Sequence, residues 1–307
     1  MITTLFSKSR PLNYLIVACL ALGSSIMAFQ ADAKIEVSAV VQQISCSILW
    51  LLSLLLINFI TKRNSVSKEN TFPILFAAVF VLFIPEALRD LNILIAHFFI
   101  LLALRRLISM QSLLAPKEKI FDAALWISVA ALFQFWCVLY LFIVFVSIVL
   151  HVSRDYRNWI LPYFGVITAL IFAGMIHYFS DFNPISYFYT NAVVDLSFDY
   201  FQEVSQNAAL SAFTAFACIL FLAQLLSLSG KPLILHAAYK KVLFSFCIGG
   251  LIFVFSTSKA NDLLLFTVFP LAVMTASFVE EMTGKWIKEI AVWLLVISAV
   301  TFFFWQL

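Results

Sequence analysis

Residues 37–63 read VSAVVQQISCSILWLLSLLLINFITKR. From Val37 to Thr61 no side chain carries a formal charge, and Lys62 and Arg63 close the run. A helix rises about 1.5 Å per residue, so roughly 20 apolar residues cross a bilayer core about 30 Å thick. Lipid offers the backbone no hydrogen-bond partners, so such a segment is expected to satisfy its own polar groups as a helix. The short alternating strands of a transmembrane barrel are absent from the sequence.

The rest of the chain repeats this theme. It has 307 residues, 64% hydrophobic and 11% charged, with a mean hydropathy of +1.04. Soluble domains carry about 25% charged residues, so this chain lacks the charge to coat itself against water. We read apolar runs at 12–29, 37–61, 71–84, 91–104, 121–134, 136–152, 159–179, 208–228, 242–257, 262–279 and 290–306. The third and fourth, interrupted by Pro85-Glu86 and Arg89-Asp90, read either as two tilted spans or as a re-entrant pair. Residues 121–152 are too long for one ordinary helix, and Gln134 marks the expected turn. Ala31-Asp32-Ala33 resembles a signal-peptidase site, but the run from Leu12 to Phe29 exceeds a signal core, so the first span is expected to be retained.

The basic residues then sort by side. With the N-terminus inside, Lys8, Arg10, Lys62, Arg63, Lys68, Arg105, Arg106, Lys117, Lys119, Arg154, Arg157, Lys231, Lys240, Lys241, Lys285 and Lys288 all fall on the cytoplasmic side, leaving Lys34, Arg89 and Lys259 outside. This is the positive-inside pattern. The expected fold is an all-α integral membrane protein: a polytopic bundle of about eleven transmembrane helices, N-terminus cytoplasmic and C-terminus outside, in a bacterial inner (cytoplasmic) membrane. Residues 1–307 read as one transmembrane domain. The outer loop over 180–207 carries Asp195, Asp199 and Glu203 at four-residue spacing and is read as an interfacial helix.

Several function classes are excluded or disfavoured. Seven glycines supply no Walker or Rossmann phosphate loop. The histidines His97, His151, His177 and His236 lack the one-turn spacing of a helical metal site, and the five cysteines sit singly in apolar runs. No metal, cofactor or nucleic-acid partner is expected; the bilayer itself is.

The candidate chemistry lies outside. Asp32 and Glu36 follow the first span, Glu86, Arg89 and Asp90 sit between the third and fourth, and Lys259 and Asp262 open the tenth. At positions i, i+3 and i+4, Glu86, Arg89 and Asp90 would share one face of a helix. A plain ion pair and a snorkelling lysine account for these groups structurally; a phosphate held by Arg89 and Lys259 accounts for them functionally. Buried His97, Gln134, His177 and Gln224 read as helix–helix hydrogen-bond partners, with the two histidines as the exceptions to watch.

Two resemblances add to this. FSKSRPLN at 6–13 and KIFDAALWISVAALFQFW at 119–136 resemble signature stretches of an uncharacterised family of multi-pass membrane proteins of Bacteroidetes-type bacteria, over the whole length. More loosely, the chain is similar to GT-C polyprenyl-phosphate-sugar glycosyltransferases: an acid after span one (Asp32 or Glu36), paired middle helices at 121–152, and a base before an apolar run with proline, Lys259 to Pro270. The tandem acidic pair of their first loop and the soluble C-terminal domain of many members are missing. That resemblance implies Asp32 or Glu36 as base, with Arg89 and Lys259 on the leaving phosphate of a polyprenyl-phosphate-linked sugar. The competing readings are a subunit or scaffold of an envelope assembly, with other membrane subunits as partners, and a transporter or flippase of a lipid-linked substrate.

Overall fold

The computed structural model describes residues 2–30, 37–179, 183–196, 203–257 and 259–307. It is 85% helix, without strands among the described residues. The α-helices are α1 (Ile2–Phe6), α2 (Pro11–Gln30), α3 (Val37–Arg63), α4 (Phe72–Val81), α5 (Leu91–Ile108), α6 (Pro116–Phe133), α7 (Leu141–His151), α8 (Arg157–Phe179), α9 (Pro184–Asn191), α10 (Val204–Ser227), α11 (Leu233–Phe255), α12 (Leu265–Glu281) and α13 (Lys285–Gln306).

Each of the eleven apolar runs is helical, but they are not alike. Among the described residues, eight helical segments are long and apolar enough to cross a membrane: Pro11–Phe29, Val37–Arg63, Leu91–Ser112, Arg157–Phe179, Val204–Gly230, Leu233–Phe255, Asn261–Glu281 and Lys285–Gln306. The other three fall short for visible reasons. α4 has only 10 residues. α6 carries Lys117, Glu118, Lys119 and Asp122 in its first turns. α7 has 11 residues and is preceded by a 3-10 turn, Phe135–Tyr140. The long stretch 121–152 does break at Gln134, whose extended backbone ends α6.

α4 and α12 form the centre. Every residue of α4 is buried, and α12 is buried along nearly all of its length. After α4 the chain runs through Leu82, Phe83 and Ile84 into a 3-10 turn, Pro85–Leu88, and these non-helical residues are almost wholly buried as well. Irregular backbone away from water is tolerated where protein covers it and satisfies its polar groups. The periphery is the reverse of a soluble protein: α8 exposes Ile160, Phe164, Ile167, Ile171 and Phe172, and α13 exposes Trp293, Leu294 and Ile297. Such faces need lipid as solvent.

Because lipid is as apolar as leucine, helix contact here rests on close packing. Gly165, Ala169 and Ala173 of α8 recur every fourth residue and are buried; a Cβ on Gly165 would stand 2.8 Å from the Ala124 Cβ of α6. The α5–α6 connection is tight too, with Leu113 and Ala115 both at positive φ, 54° and 46°. Lys119 clamps it by donating to the Ser109 carbonyl (2.7 Å) and Ser112 Oγ (2.9 Å).

One expectation is corrected. Glu86, Arg89 and Asp90 do not share a helical face: Pro85 starts a separate 3-10 turn holding Glu86, Arg89 ends that turn, and Asp90 caps α5 by accepting from the Asn92 and Ile93 amides at 2.8 and 3.1 Å. Two rival caps in five residues preclude a continuous helix.

Candidate functional site

The polar groups collect at two ends of the bundle. At one end the turn Pro85–Leu88 packs against a second 3-10 turn, Asn261–Leu264, which opens α12. Glu86, Asp90 and Asp262 come within electrostatic reach of one another there. Glu86 is pushed above the ordinary carboxylate range, first by burial, partly offset by the Arg89 guanidinium, and raised further by Glu203. Gln206 of α10 donates to its Oε1. Arg89 is fixed by its carbonyl as well, which accepts from Gln42 Nε2 of α3 at 2.9 Å.

Lys259 is not beside Asp262 in a shared pair. It is 5% exposed, and its ammonium donates to the Asp195 carbonyl and, at 3.1 Å, to the Ser256 carbonyl, with the Asp195 carboxylate 4.0 Å away. It therefore ties the loop after α9 to the end of α11. The loop's helix is α9, Pro184–Asn191; Asp195 lies beyond it in non-helical backbone, Asp199 falls outside the described residues, and Glu203 heads α10. Asp32 and Glu36 also lie outside the described residues.

The opposite end holds what the sequence reading missed. A cavity of about 730 Å³ is lined by Ser9, Lys62, Ser67, Lys231, Tyr239, Glu280 and neighbours. Glu280 Oε1 accepts from Ser67 Oγ (2.5 Å), Asn70 Nδ2 (2.6 Å) and the Lys68 amide (3.2 Å). Lys231 pairs with Glu281, and Lys62 donates to Ser9 and Tyr14. Ser65, at φ 52°, turns the chain along this wall. The basic residues here read only as topology anchors because nothing in the spacing of Lys62, Lys231 and Glu280 brings them together; the folding of α3, α11 and α12 does. An apolar groove of about 210 Å³ lies between α4, α10, α12 and α13, and the last turns of α12 serve both: Thr275, Phe278 and Val279 line the groove, Glu280 and Glu281 the cavity.

Between the ends, His97 and Lys241 are buried at 1% and 0% exposure. Neither ring nitrogen of His97 has a hydrogen bond, and Lys241 Nζ donates to the Leu107 carbonyl at 2.5 Å.

Apolar exteriors, buried ionisable groups and two polar ends define a multi-pass helical membrane protein. The chain belongs to DUF6427, a family of unknown function, whose family model matches residues 1–307. No curated protein and no solved structure matches it.

Proposed function

We propose that the chain is a flippase-type transporter of a lipid with a polar headgroup, set in a bacterial inner membrane. One observation carries the reading: α12 presents an apolar groove and a polar cavity from the same two turns, a combination that accommodates a tail and a headgroup together. The cavity offers both ammonium and carboxylate groups, Lys62, Lys231 and Glu280, so a zwitterionic phospholipid headgroup fits its charge.

In this reading all eleven apolar runs cross, α4 and α7 lengthened by the irregular and 3-10 residues that adjoin them, with the N-terminus cytoplasmic and the C-terminus outside, because sixteen of nineteen bases then face the cytoplasm. In a cysteine-free background, Thr190→Cys should react with an impermeant maleimide on intact cells, and Ser112→Cys only after lysis. Labelling of Ser112→Cys in intact cells would reverse the orientation.

Transport is tested in vesicles of phosphatidylethanolamine and phosphatidylglycerol holding a trace of phosphatidylcholine that carries a nitrobenzoxadiazole label on one acyl chain, so that the zwitterionic headgroup stays intact. With the protein, external dithionite should bleach label from both leaflets; without it, from the outer leaflet only. Glu280→Gln should slow the bleaching of the inner-leaflet label. Bleaching no faster than in empty vesicles would sink the transporter reading.

A second reading is favoured by Glu86. A carboxyl kept protonated more easily by burial, beside Arg89, has the character of an acid–base group. On that reading Glu86, Arg89, Asp90, Lys259 and Asp262, with Asp32 and Glu36, serve a GT-C-like sugar transfer from a polyprenyl phosphate at the outer face. Release of polyprenyl phosphate by purified protein given lipid-linked sugar and acceptor would favour it over transport; a subunit role would leave both assays silent.

A further inference from the structure

The bases and acids of the 730 Å³ cavity are not equivalent, because some are already committed to each other. Lys231 pairs with Glu281, donates to Ser277 Oγ at 2.5 Å and covers the Tyr239 ring at 5.0 Å. Lys62, at the end of α3, has neutral partners only. It donates to Ser9 Oγ at 2.6 Å and to the Tyr14 hydroxyl, and those two hydroxyls stand 2.9 Å apart. Among the described residues no carboxylate forms an ion pair with it. Glu280 is likewise half used: its Oε1 accepts from Ser67, Asn70 and the Lys68 amide, while its Oε2 accepts from no described residue and is not closed off from the cavity. The two places share one turn of chain. The Ser65 amide donates to the Lys62 carbonyl (3.2 Å) and the Val66 amide to the Thr61 carbonyl (3.0 Å), with Ser65 at φ 52°. This left-handed helix ending folds the chain back, so that Ser67, which holds Glu280, follows directly on Lys62.

We propose that this cavity selects a phospholipid headgroup ending in a primary ammonium, as in phosphatidylethanolamine, over one ending in a quaternary ammonium; the lipid occupant itself rests on the transporter reading above. The phosphate takes the seat made by Lys62, Ser9 and Tyr14. Two of the three ammonium protons go to the hydroxyls, leaving the third and at least one hydroxyl hydrogen to donate to a phosphate oxygen. The terminal ammonium donates to Glu280 Oε2 in a charge-assisted hydrogen bond. A choline nitrogen has no N–H to give. Quaternary ammonium groups are held instead against open aromatic faces, and this lining offers none. Tyr239 is its aromatic residue, with the ring covered by Lys231 and the hydroxyl donating to the Val66 carbonyl at 2.7 Å. The Tyr14 ring is covered in the same way, by Lys62 at 5.1 Å. Phosphatidylcholine therefore keeps the phosphate seat and a general attraction to Glu280, and is held more weakly. Phosphatidylglycerol brings no cation to Glu280 at all.

The test is a binding measurement, separate from transport. The full chain in delipidated detergent micelles is titrated with dioleoyl phosphatidylethanolamine and, separately, dioleoyl phosphatidylcholine, and the first binding event is read by native mass spectrometry. The tails are identical, so the ratio of affinities reports the headgroup. Wild type should prefer the ethanolamine lipid roughly tenfold, the lower end expected of one charge-assisted hydrogen bond. Glu280→Gln keeps an Oε1 to accept from Ser67, Asn70 and the Lys68 amide, so it should fold, and its ratio should drop toward one as the ethanolamine lipid loses more. Lys62→Met should weaken both lipids by a similar factor and leave the ratio in place. Unfolding midpoints are measured alongside. Equal affinities in wild type would overturn the proposal, and so would an undiminished ratio in folded Glu280→Gln. If the ratio is absent while labelled phosphatidylcholine still crosses vesicles, the transporter reading stands and only the headgroup selection falls. If the ratio is found but no lipid crosses, the site stands and the transporter reading falls.

Discussion

Gly249→Ala loses stability, and Gly249→Leu loses more, while Gly250→Ala on the same turn holds or gains. A Cβ at Gly249 would meet Thr267 Cγ2 at 2.8 Å and the Phe266 carbonyl carbon and oxygen at 3.0 and 3.1 Å. The threonine methyl can rotate, but the backbone of α12 is held between α4 and α11 and cannot retreat alone. Overpacking of this kind costs about 1–3 kcal/mol, and a leucine belongs at or above the top of that range. At Gly250 nothing lies within 4 Å. Alanine there recovers up to about 1 kcal/mol of helix propensity. Thermal unfolding of the three variants in detergent micelles, read against wild type, decides it. Equal midpoints for Gly249→Leu and wild type would mean that α11 and α12 do not approach as closely as described.

The second large effect is expected from Lys259→Met. The ammonium is buried, donates to the carbonyls of Asp195 and Ser256, and faces the Asp195 carboxylate. Removing one member of a buried ion pair costs about 3–5 kcal/mol, because the partner is left desolvated and unmatched. Asp195 keeps 26% exposure, so water softens the loss and the lower end of that range applies. The loop between α9 and α10 should then come away from α11, seen as faster amide exchange over residues 192–196. Lys259→Arg should recover part of the stability, since the charge is retained on a bulkier planar head. A Lys259→Met protein of unchanged stability that binds a polyprenyl-phosphate analogue more weakly would show instead that the ammonium serves a ligand.

The helical, lipid-facing character of the chain was legible without coordinates. Runs such as Val37–Thr61 leave the backbone no alternative in lipid, and the bases mark their ends. Gln134 was readable as a break because 121–152 is too long for one crossing. Spacing failed where the backbone departs from a helix. Glu86, Arg89 and Asp90 look like one face only if Pro85 and the capping side chain of Asp90 are ignored, and their local bonds outweigh the periodic pattern.

What the sequence by itself determined is therefore which segments leave water, because that depends on local composition and length; whether lipid or protein covers them, as protein covers α4, was decided by packing. What only the tertiary structure decided is which polar groups meet. Lys259 and Asp195 are 64 positions apart, Glu280 and Ser67 are 213 apart, and no periodicity links either pair. The lysine that looked free to bind phosphate is held by a loop, and bases that read as part of the positive-inside pattern wall a cavity. Partner choice of this kind follows from the packing of α3 and α12 against α4 and of α11 against α12, the last fixed by small residues such as Gly249 whose role is invisible until a neighbouring backbone lies 3.0 Å away.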